Sequence, residues 1–556
     1  MKLRSLLIVL AAIALVLLSA AAAGAVWIAA NSPVEQLQTL GRSQLDAAAL
    51  FVSRQSPLVV SLGVNPDRLE SVDLLSVPAS QRSQRRSEWA EWQQSLFVDT
   101  QLNYQRDIQP WLGDQVVLAI TTPDVDRDSG NGAQVGYLFA FTPQDSTLAS
   151  QTLQRFWQRH AKAKDRITET YAGVRITYQR SAQTLTTATA VVSDRIVLVA
   201  NSPKVLRDAI NTVQVGQSLT DSDAYQQAIE NLPENALGFA YVNLPQLSTW
   251  LTRKPESPSQ FRIYDRLLAT LDRTPTGWVA DTLLLSSLDN PLTPAKPTLS
   301  APVDALRFVP AASTVVAAGN DVQQFWTQLQ TGLAGYENLT ELLRQPVAQL
   351  QQQWVVPLPD LLSWMTGDYA IALLPNPENR SQSDWLFATR RSPDLVAGLD
   401  KLNAIAQDQG VTIGALPLET PLGTQEIFAW TKLSTRSHKT AGKSLVSLDA
   451  QVQGVHTAVE DYEIFATSLE AIAQALQAPE DSLLKSAKFQ TAIAPFETPN
   501  DGYFYVDQTV VQQALSRTPL IDRTPLSRLL KQALSLGATS YGKETIGQRG
   551  AVHLGE

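Results

Sequence analysis

At roughly 150 residues per domain, the 556-residue chain has length for two to four domains and a sizeable core. Its 44 Lys+Arg against 53 Asp+Glu give a formal charge of −9, which speaks against a nucleic-acid partner held by bulk charge. It has no cysteine, which excludes disulfide frameworks, thiolate nucleophiles and Cys-based zinc sites, and only four histidines (His160, His438, His456, His553) for acid–base or metal chemistry.

Lys2 and Arg4 precede an uncharged apolar run, Leu6 to Ala30. As a helix rising about 1.5 Å per residue, the run is long enough to cross a ~30 Å hydrocarbon core with some tilt. Residues 1–31 therefore read as a single-pass transmembrane anchor. The basic residues before the run place the N-terminus in the cytoplasm and everything after Asn31 in the periplasm or lumen, with a plasma or thylakoid membrane as the address. The rival reading is a cleavable signal peptide, with Leu6–Leu18 as its apolar region and Ala21-Ala22-Ala23 as the cleavage site. Val26-Trp27-Ile28 carries the apolar run past that site and favours the uncleaved anchor.

After the anchor, strands are predicted at Leu58–Val64, Val116–Thr121, Val135–Phe141, Val174–Tyr178, Ala188–Val192, Ile196–Ala200, Ala236–Val242 and Trp278–Leu285, from their β-branched and aromatic content. Helices are predicted at Asp145–His160, Ser202–Val213, Asp221–Asn231 and Ser259–Leu271, most with Ser or Asp placed to cap. Ser80–Trp92 begins basic and bears Trp89 and Trp92. Glu88 and Glu91 can pair with Arg85 or Arg86, so it reads as a surface helix packing its Trp pair inward rather than lying on lipid. Several connections are too short for crossover helices, which makes the sheet antiparallel and the class α+β, with helices covering one sheet face.

The chain also repeats itself. Asp107-Ile-Gln-Pro-Trp111-Leu-Gly-Asp114 returns as Asp360-Leu-Leu-Ser-Trp364-Met-Thr-Gly-Asp368, and Leu237-Gly-Phe-Ala-Tyr241-Val returns around Gly502-Tyr-Phe-Tyr505-Val. Val59-Val60-Ser-Leu-Gly63 matches Val315-Val316-Ala-Ala-Gly319, and Tyr137–Ala140 matches Trp385–Ala388. The expected organisation is a tandem duplication of an antiparallel-sheet-plus-helices lobe after the N-terminal transmembrane helix. Copy 1 spans 32–289, a Pro-rich linker 290–303, and copy 2 304–556. The offset drift puts an insertion in copy 2 at the polar stretch Thr431–Leu445, read as a longer hairpin loop. Trp111 and Trp364 should then occupy equivalent buried positions.

These residues resemble a bacterial, mainly cyanobacterial, membrane-anchored family, domain of unknown function 3352. The resemblance lies in Asp107–Asp114, Gly136-Tyr-Leu138, Tyr171-Ala-Gly173-Val and Leu237–Val242. It implies an anchored extracytoplasmic protein and brings no catalytic residues with it.

Asp107/Asp114 and Asp360/Asp368 have the look of a glycosidase carboxylate pair. Their recurrence beside Trp and Gly at a strand entrance argues instead for turns whose Asp oxygens take backbone N–H groups. Gly442-Lys443-Ser444 lacks the first glycine of a phosphate loop, and Ser482-Leu-Leu-Lys485 lacks the companion motifs of penicillin-recognising enzymes. No nucleotide or nucleic-acid partner is implied. Asp124, Asp126 and Asp128 have the 1, 3, 5 spacing of a calcium loop, but Ser129 stands where glycine belongs and Val135 where a bidentate Glu belongs. A polar hairpin turn is the main reading of this loop and a low-affinity calcium site the alternative. With no catalytic motif, the expectation is non-catalytic binding or scaffolding of partner proteins. An extracytoplasmic hydrolase or lipid-handling enzyme with an unrecognised site is the second class.

Overall fold

A computed structural model describes residues 47–62, 67, 80, 82–95, 102–128, 134–162, 164–180, 186–232, 238–252, 261–274, 276–286, 292–332, 334–337, 362–376, 383–420, 423–440, 443–516 and 533–555. The apolar run Leu6–Ala30, Asp360 and the second half of the Asp124 loop, 129–133, lie outside these residues, as do the side chains of Trp89 and Trp92. Among the described residues no helix is long and apolar enough to cross a membrane.

The fold is mixed helix and antiparallel sheet. The first half contributes β1 (Leu58–Leu62), β2 (Leu112–Thr122), β3 (Gly136–Pro143), β4 (Arg166–Tyr171), β5 (Val174–Gln179), β6 (Ala188–Val192), β7 (Ile196–Ala200), β8 (Gly238–Asn243), β9 (Tyr264–Thr274) and β10 (Gly277–Ser286). The second contributes β11 (Val315–Gly319), β12 (Tyr369–Pro375), β13 (Ser383–Arg390), β14 (Val411–Thr420), β15 (Gly423–Thr440), β16 (Lys443–Val459), β17 (Tyr462–Ala466), β18 (Tyr503–Asp507), β19 (Ser535–Glu544) and β20 (Gly547–Gly555). Their ladders form one 20-stranded sheet. The first half runs β4-β5-β6-β7-β3-β2-β1-β8-β9-β10. The second half, β14-β15-β16-β17-β13-β12-β11-β18-β19-β20, has the same order with every number raised by ten. The halves join edge to edge through β10 and β20, with Trp278 opposite Leu554 and Ala280 opposite Val552.

Between strands lie α1 (Arg82–Ser95), a π-helical turn (Tyr104–Ile108), α2 (Ser146–His160), α3 (Pro203–Gln214), α4 (Asp223–Glu230) and α5 (Leu244–Thr252) in the first half. The second half has α6 (Val322–Gly332), α7 (Pro393–Asp408), α8 (Leu469–Gln477), α9 (Ala487–Ile493) and α10 (Gln508–Ser516). Side chains of a strand alternate between faces, and β7 uses both faces for core. Ile196, Leu198 and Ala200 pack with α3 and α4. Val197 and Val199 pack with α2 and the π-helical turn. In the second half β17 sends Ile464 toward α8 and α9 and Phe465 toward α7. Helices thus cover both sheet faces rather than the single face expected, because strands such as LVVSL and IVLVA are apolar at every position but Ser61 and need cover on each side.

Two further expectations change. Ser259–Leu271, predicted as helix, is β9 from Tyr264. Its Leu267, Leu268 and Ala269 are all buried, so the segment lacks the alternation that marks a half-buried strand, and its Leu, Ala and Arg are good helix formers. The match of Val59 to Val315 slips by one residue: Val59 stands opposite Tyr241, and it is Val316 that stands opposite Tyr505. A slip of one would have turned each inward side chain outward.

The Pro-rich segment is pinned along the second half, with Ala295 and Lys543 exchanging backbone hydrogen bonds at 3.0 and 2.8 Å and Leu299 and Asn500 doing so at 2.8 Å each way. The insertion at Thr431–Leu445 is not an irregular loop: β15 and β16 continue through it as a paired ribbon. At the sheet's ends the edge strands are blunted, β4 by Arg166 and Glu169 and β14 by Pro417, which offers no N–H.

The seam between the halves demands close backbone approach. Gly277 holds φ +148°, and a Cβ there would come within 2.0 Å of the Leu554 carbonyl oxygen. Gly277→Ala is expected to lower stability by about 1–3 kcal/mol through overpacking and an unfavourable φ. A urea midpoint equal to that of the native chain would contradict it.

Candidate binding cleft and buried polar clusters

Three of the repeated segments converge in the second half. The ends of β11, β12, β18 and β19 and the start of α6 enclose a cleft of about 210 Å³, lined among others by Asn320, Asp321, Phe325, Tyr369, Asp501 and Thr539. Glycine allows the convergence: Gly502 holds φ +137°, and a Cβ on it would meet the Ala318 carbonyl oxygen at 2.4 Å. Asp501 Oδ2 accepts from Ser540 Oγ at 2.7 Å and from the Gly542 N–H at 3.1 Å. Thr539 Oγ1 donates to the Gly502 carbonyl at 2.6 Å. Asp321 Oδ1 accepts from the Gln324 N–H at 2.7 Å, capping the first turn of α6. Burial, helped by the negative charge of Asp321, pushes the Tyr369 phenol up, so it stays a neutral hydroxyl. The cleft combines an apolar floor with carboxylates already committed to the fold.

Asp107 behaves as the turn reading expects. Its buried carboxylate accepts from the Asn103 N–H at 3.0 Å and from Arg106 Nε and Nη2 at 3.2 and 3.1 Å, and pairs with Arg159 of α2. Trp111 Nε1 donates to the Asp107 carbonyl at 2.7 Å. Asp368 likewise accepts from the Ala305 N–H at 3.1 Å and from Arg390 Nε at 2.8 Å, tying a 3-10 turn to the β12 entrance. Asp114 sits half-buried at the start of β2.

Asp124, Asp126 and Asp128 are not gathered around a common point. Asp124 Oδ1 accepts from the Gln134 N–H at 3.2 Å, Asp126 Oδ1 from the Asp128 N–H at 3.0 Å, and the Lys204 ammonium donates to the Val125 carbonyl at 2.5 Å. Among the described residues no group of three His, Cys, Asp or Glu is placed to hold a metal ion. These bonds are those of a polar turn. Ser482 begins a 3-10 turn, and Lys485 Nζ donates to the Pro479 carbonyl at 2.7 Å, away from any nucleophile role.

One cluster escaped the sequence reading. His456 Nδ1 lies 2.7 Å from Glu463 Oε1, and Glu463 Oε2 lies 3.3 Å from Arg391 Nε. The imidazole is stacked among Phe428, Trp430 and Phe465 at 5.3, 4.9 and 5.8 Å, and among the described residues its Nε2 has no partner. A carboxylate-oriented imidazole is half of a nucleophile-activating pair, but no hydroxyl of the described residues bonds to Nε2. The available signal was the hairpin register: with Ala458 opposite Glu463, His456 falls diagonally across on the same face.

Residues 10–555 match the family described as "Protein of unknown function (DUF3352)". The chain belongs to that family. No curated protein is similar to it. Among solved structures, crystal form I of TP0453 is 8% identical with a TM-score of 0.26, covering 44% of this chain and 80% of that one. Crystal form IV of the same protein is 8% identical with a TM-score of 0.24, covering 44% and 82%.

Proposed function

We propose that this is a membrane-anchored extracytoplasmic protein that binds or scaffolds partner proteins without catalysing a reaction. The apolar run Leu6–Ala30 behind Lys2 and Arg4 supports single-pass anchoring in a plasma or thylakoid membrane, with the sheet in the periplasm or lumen. The repeated ten-strand order supports a tandem duplication, which would give a long rigid platform from one small unit.

The observation that carries the binding reading is the cleft itself, where Phe325 and Tyr369 stand beside Asp501 and Asp321, whose carboxylates accept hydrogen bonds from Ser540, Gly542 and Gln324. A concave apolar site with a few fixed polar groups suits recognition. The test is affinity capture of the full anchored chain from its own membranes, compared with Thr539→Trp, which fills the cleft. A partner recovered with the native chain and lost with the variant is expected. Turnover of ester, glycoside or peptide substrates that disappears in Asp501→Asn would overturn the reading. Sealed vesicles with their cytoplasmic face outward should shield the sheet from added protease, and digestion without detergent would refute the orientation.

A further inference from the structure

Tyr369 belongs to the lining of the cleft between β11, β12, β18 and β19. It is only 4% exposed, and its ring lies 6.1 Å from that of Phe325, tilted by 40°. Its hydroxyl sits where β11 meets the Asp501 backbone: a Cβ placed on Gly319 would lie 3.2 Å from Oη and 3.1 Å from the Asp501 carbonyl oxygen. Among the described residues Oη makes no hydrogen bond. A polar group this buried is ordinarily paired, and leaving it unpaired costs free energy that a ligand can recover.

Two carboxylates share the cleft. Asp501 is held through Oδ2 and Asp321 through Oδ1, and among the described residues the second oxygen of each accepts nothing. No Lys, Arg or His lines the cleft. The Asp321 charge acts on the phenol and, with burial, keeps it neutral. An anionic ligand would therefore meet two negative charges and no compensating cation. A bare metal ion needs more oxygen ligands than are gathered here, since no group of three His, Cys, Asp or Glu is so placed among the described residues. An organic cation satisfies every feature at once. It donates to a phenol oxygen and a carboxylate, and aromatic faces attract it within about 6 Å.

We propose that the cleft receives the charged end of an arginine or lysine side chain from the partner protein. Its N–H groups would donate to Tyr369 Oη and to Asp321 or Asp501, while its apolar stem lies against Phe325. That stem is what a side chain brings to an apolar floor and a compact free ammonium does not. The chain's net charge of −9 favours encounter with a basic partner. The inference rests on the reading that the cleft binds a partner, and it names what that partner must present.

The test is saturation-transfer NMR on the full-length chain in lipid nanodiscs. The probes are N-acetyl-arginine amide and its uncharged counterpart, N-acetyl-citrulline amide. The arginine probe should bind about tenfold more tightly than the citrulline one. Tyr369→Phe keeps the ring and removes only the unpaired hydroxyl, so the urea midpoint should not fall while Kd for the arginine probe rises about tenfold. Asp321→Asn keeps a good helix cap and should raise that Kd about fivefold. Equal binding of the two probes, or an unchanged Kd in both variants, overturns the proposal. Putrescine binding more tightly than the arginine probe, and losing that preference in the same variants, would assign the cleft to a free amine and overturn the side-chain occupant. Affinity capture separates the cation site from the wider reading. A partner lost with Thr539→Trp but retained by Tyr369→Phe and Asp321→Asn overturns the cation site alone. A charge-dependent probe signal with no partner in any capture upholds the cation site and overturns the partner reading.

Discussion

Replacing Trp111 by alanine is expected to destabilise the protein by about 3–5 kcal/mol, clearly more than the same change at Trp364. Trp111 has 0% of its surface exposed. Its ring meets Phe141 edge-on at 5.7 Å and 88°, and its indole N–H is satisfied by the Asp107 carbonyl at 2.7 Å. Truncation would open a cavity where α2, the π-helical turn and the sheet meet. Trp364 is half-buried. Its ring lies against Gly398 of α7, where a Cβ would come within 2.3 Å of Cε3. Less surface returns to water when that ring is removed, so about 1–3 kcal/mol is expected. The two residues are thus matched in sequence but unequal in burial, which corrects the expectation that both are buried alike. The comparison needs only urea midpoints of the two variants at an unchanged slope, and equal midpoints would refute it.

The reason for the inequality was partly legible. Ser363 replaces Pro110, and one residue is added before Gly367, so the second turn could not copy the first. Strands were legible where β-branched runs were short and bounded by turn residues, as in β6 and β7. They were illegible where burial on both faces erased alternation, as in β9. Pairing across the seam was also beyond reach, because no local pattern tells β10 that its neighbour is β20, some 270 residues later. The candidate cleft was half legible. The repeated segments Val315–Gly319 and Gly502–Val506 marked its walls, but the fact that they converge is a property of the β11–β18 ladder. The His456–Glu463 pair was visible only once the turn at Glu460-Asp461 fixed which residues share a face.

The second half also differs from the first in where it keeps polarity. At the place where Trp157 Nε1 donates to Thr189 Oγ1 at 2.8 Å in the first half, the second half has Trp430 Nε1 donating to Asn403 Oδ1 at 2.9 Å with His456 stacked on the indole. The cleft and the β15–β16 ribbon lie in the second half as well. Both halves hold charges in structural pairs, Glu169 with Arg207 at 2.7 Å in the first and Asp368 with Arg390 at 2.8 Å in the second.

The strongest electrostatic effect is expected at Asp107. Its side chain has 0% exposure while Arg106 and Arg159 are 51% and 39% exposed. Burial alone would raise the carboxyl. The Arg106 hydrogen bonds, the Asn103 N–H and the charges of Arg106 and Arg159 together outweigh burial and hold it below the ordinary carboxylate value. Asp107→Ala removes the acceptor of a backbone N–H and of two guanidiniums. Because both guanidiniums can turn to water, the cost is set near ~3 kcal/mol, at the low end for breaking a buried pair. The pH dependence has a definite sign. A carboxyl whose folded value lies below its unfolded value of about 3.9 contributes fully above that pH and loses its contribution as pH falls through the folded value. Asp107→Asn should therefore lower stability at neutral pH and flatten the acid limb of the stability curve below about pH 4. Parallel acid limbs for the native chain and Asp107→Asn would show that this carboxylate is not held by its arginines. Arg159→Gln should flatten the limb less, since Arg106 and the Asn103 N–H remain in place.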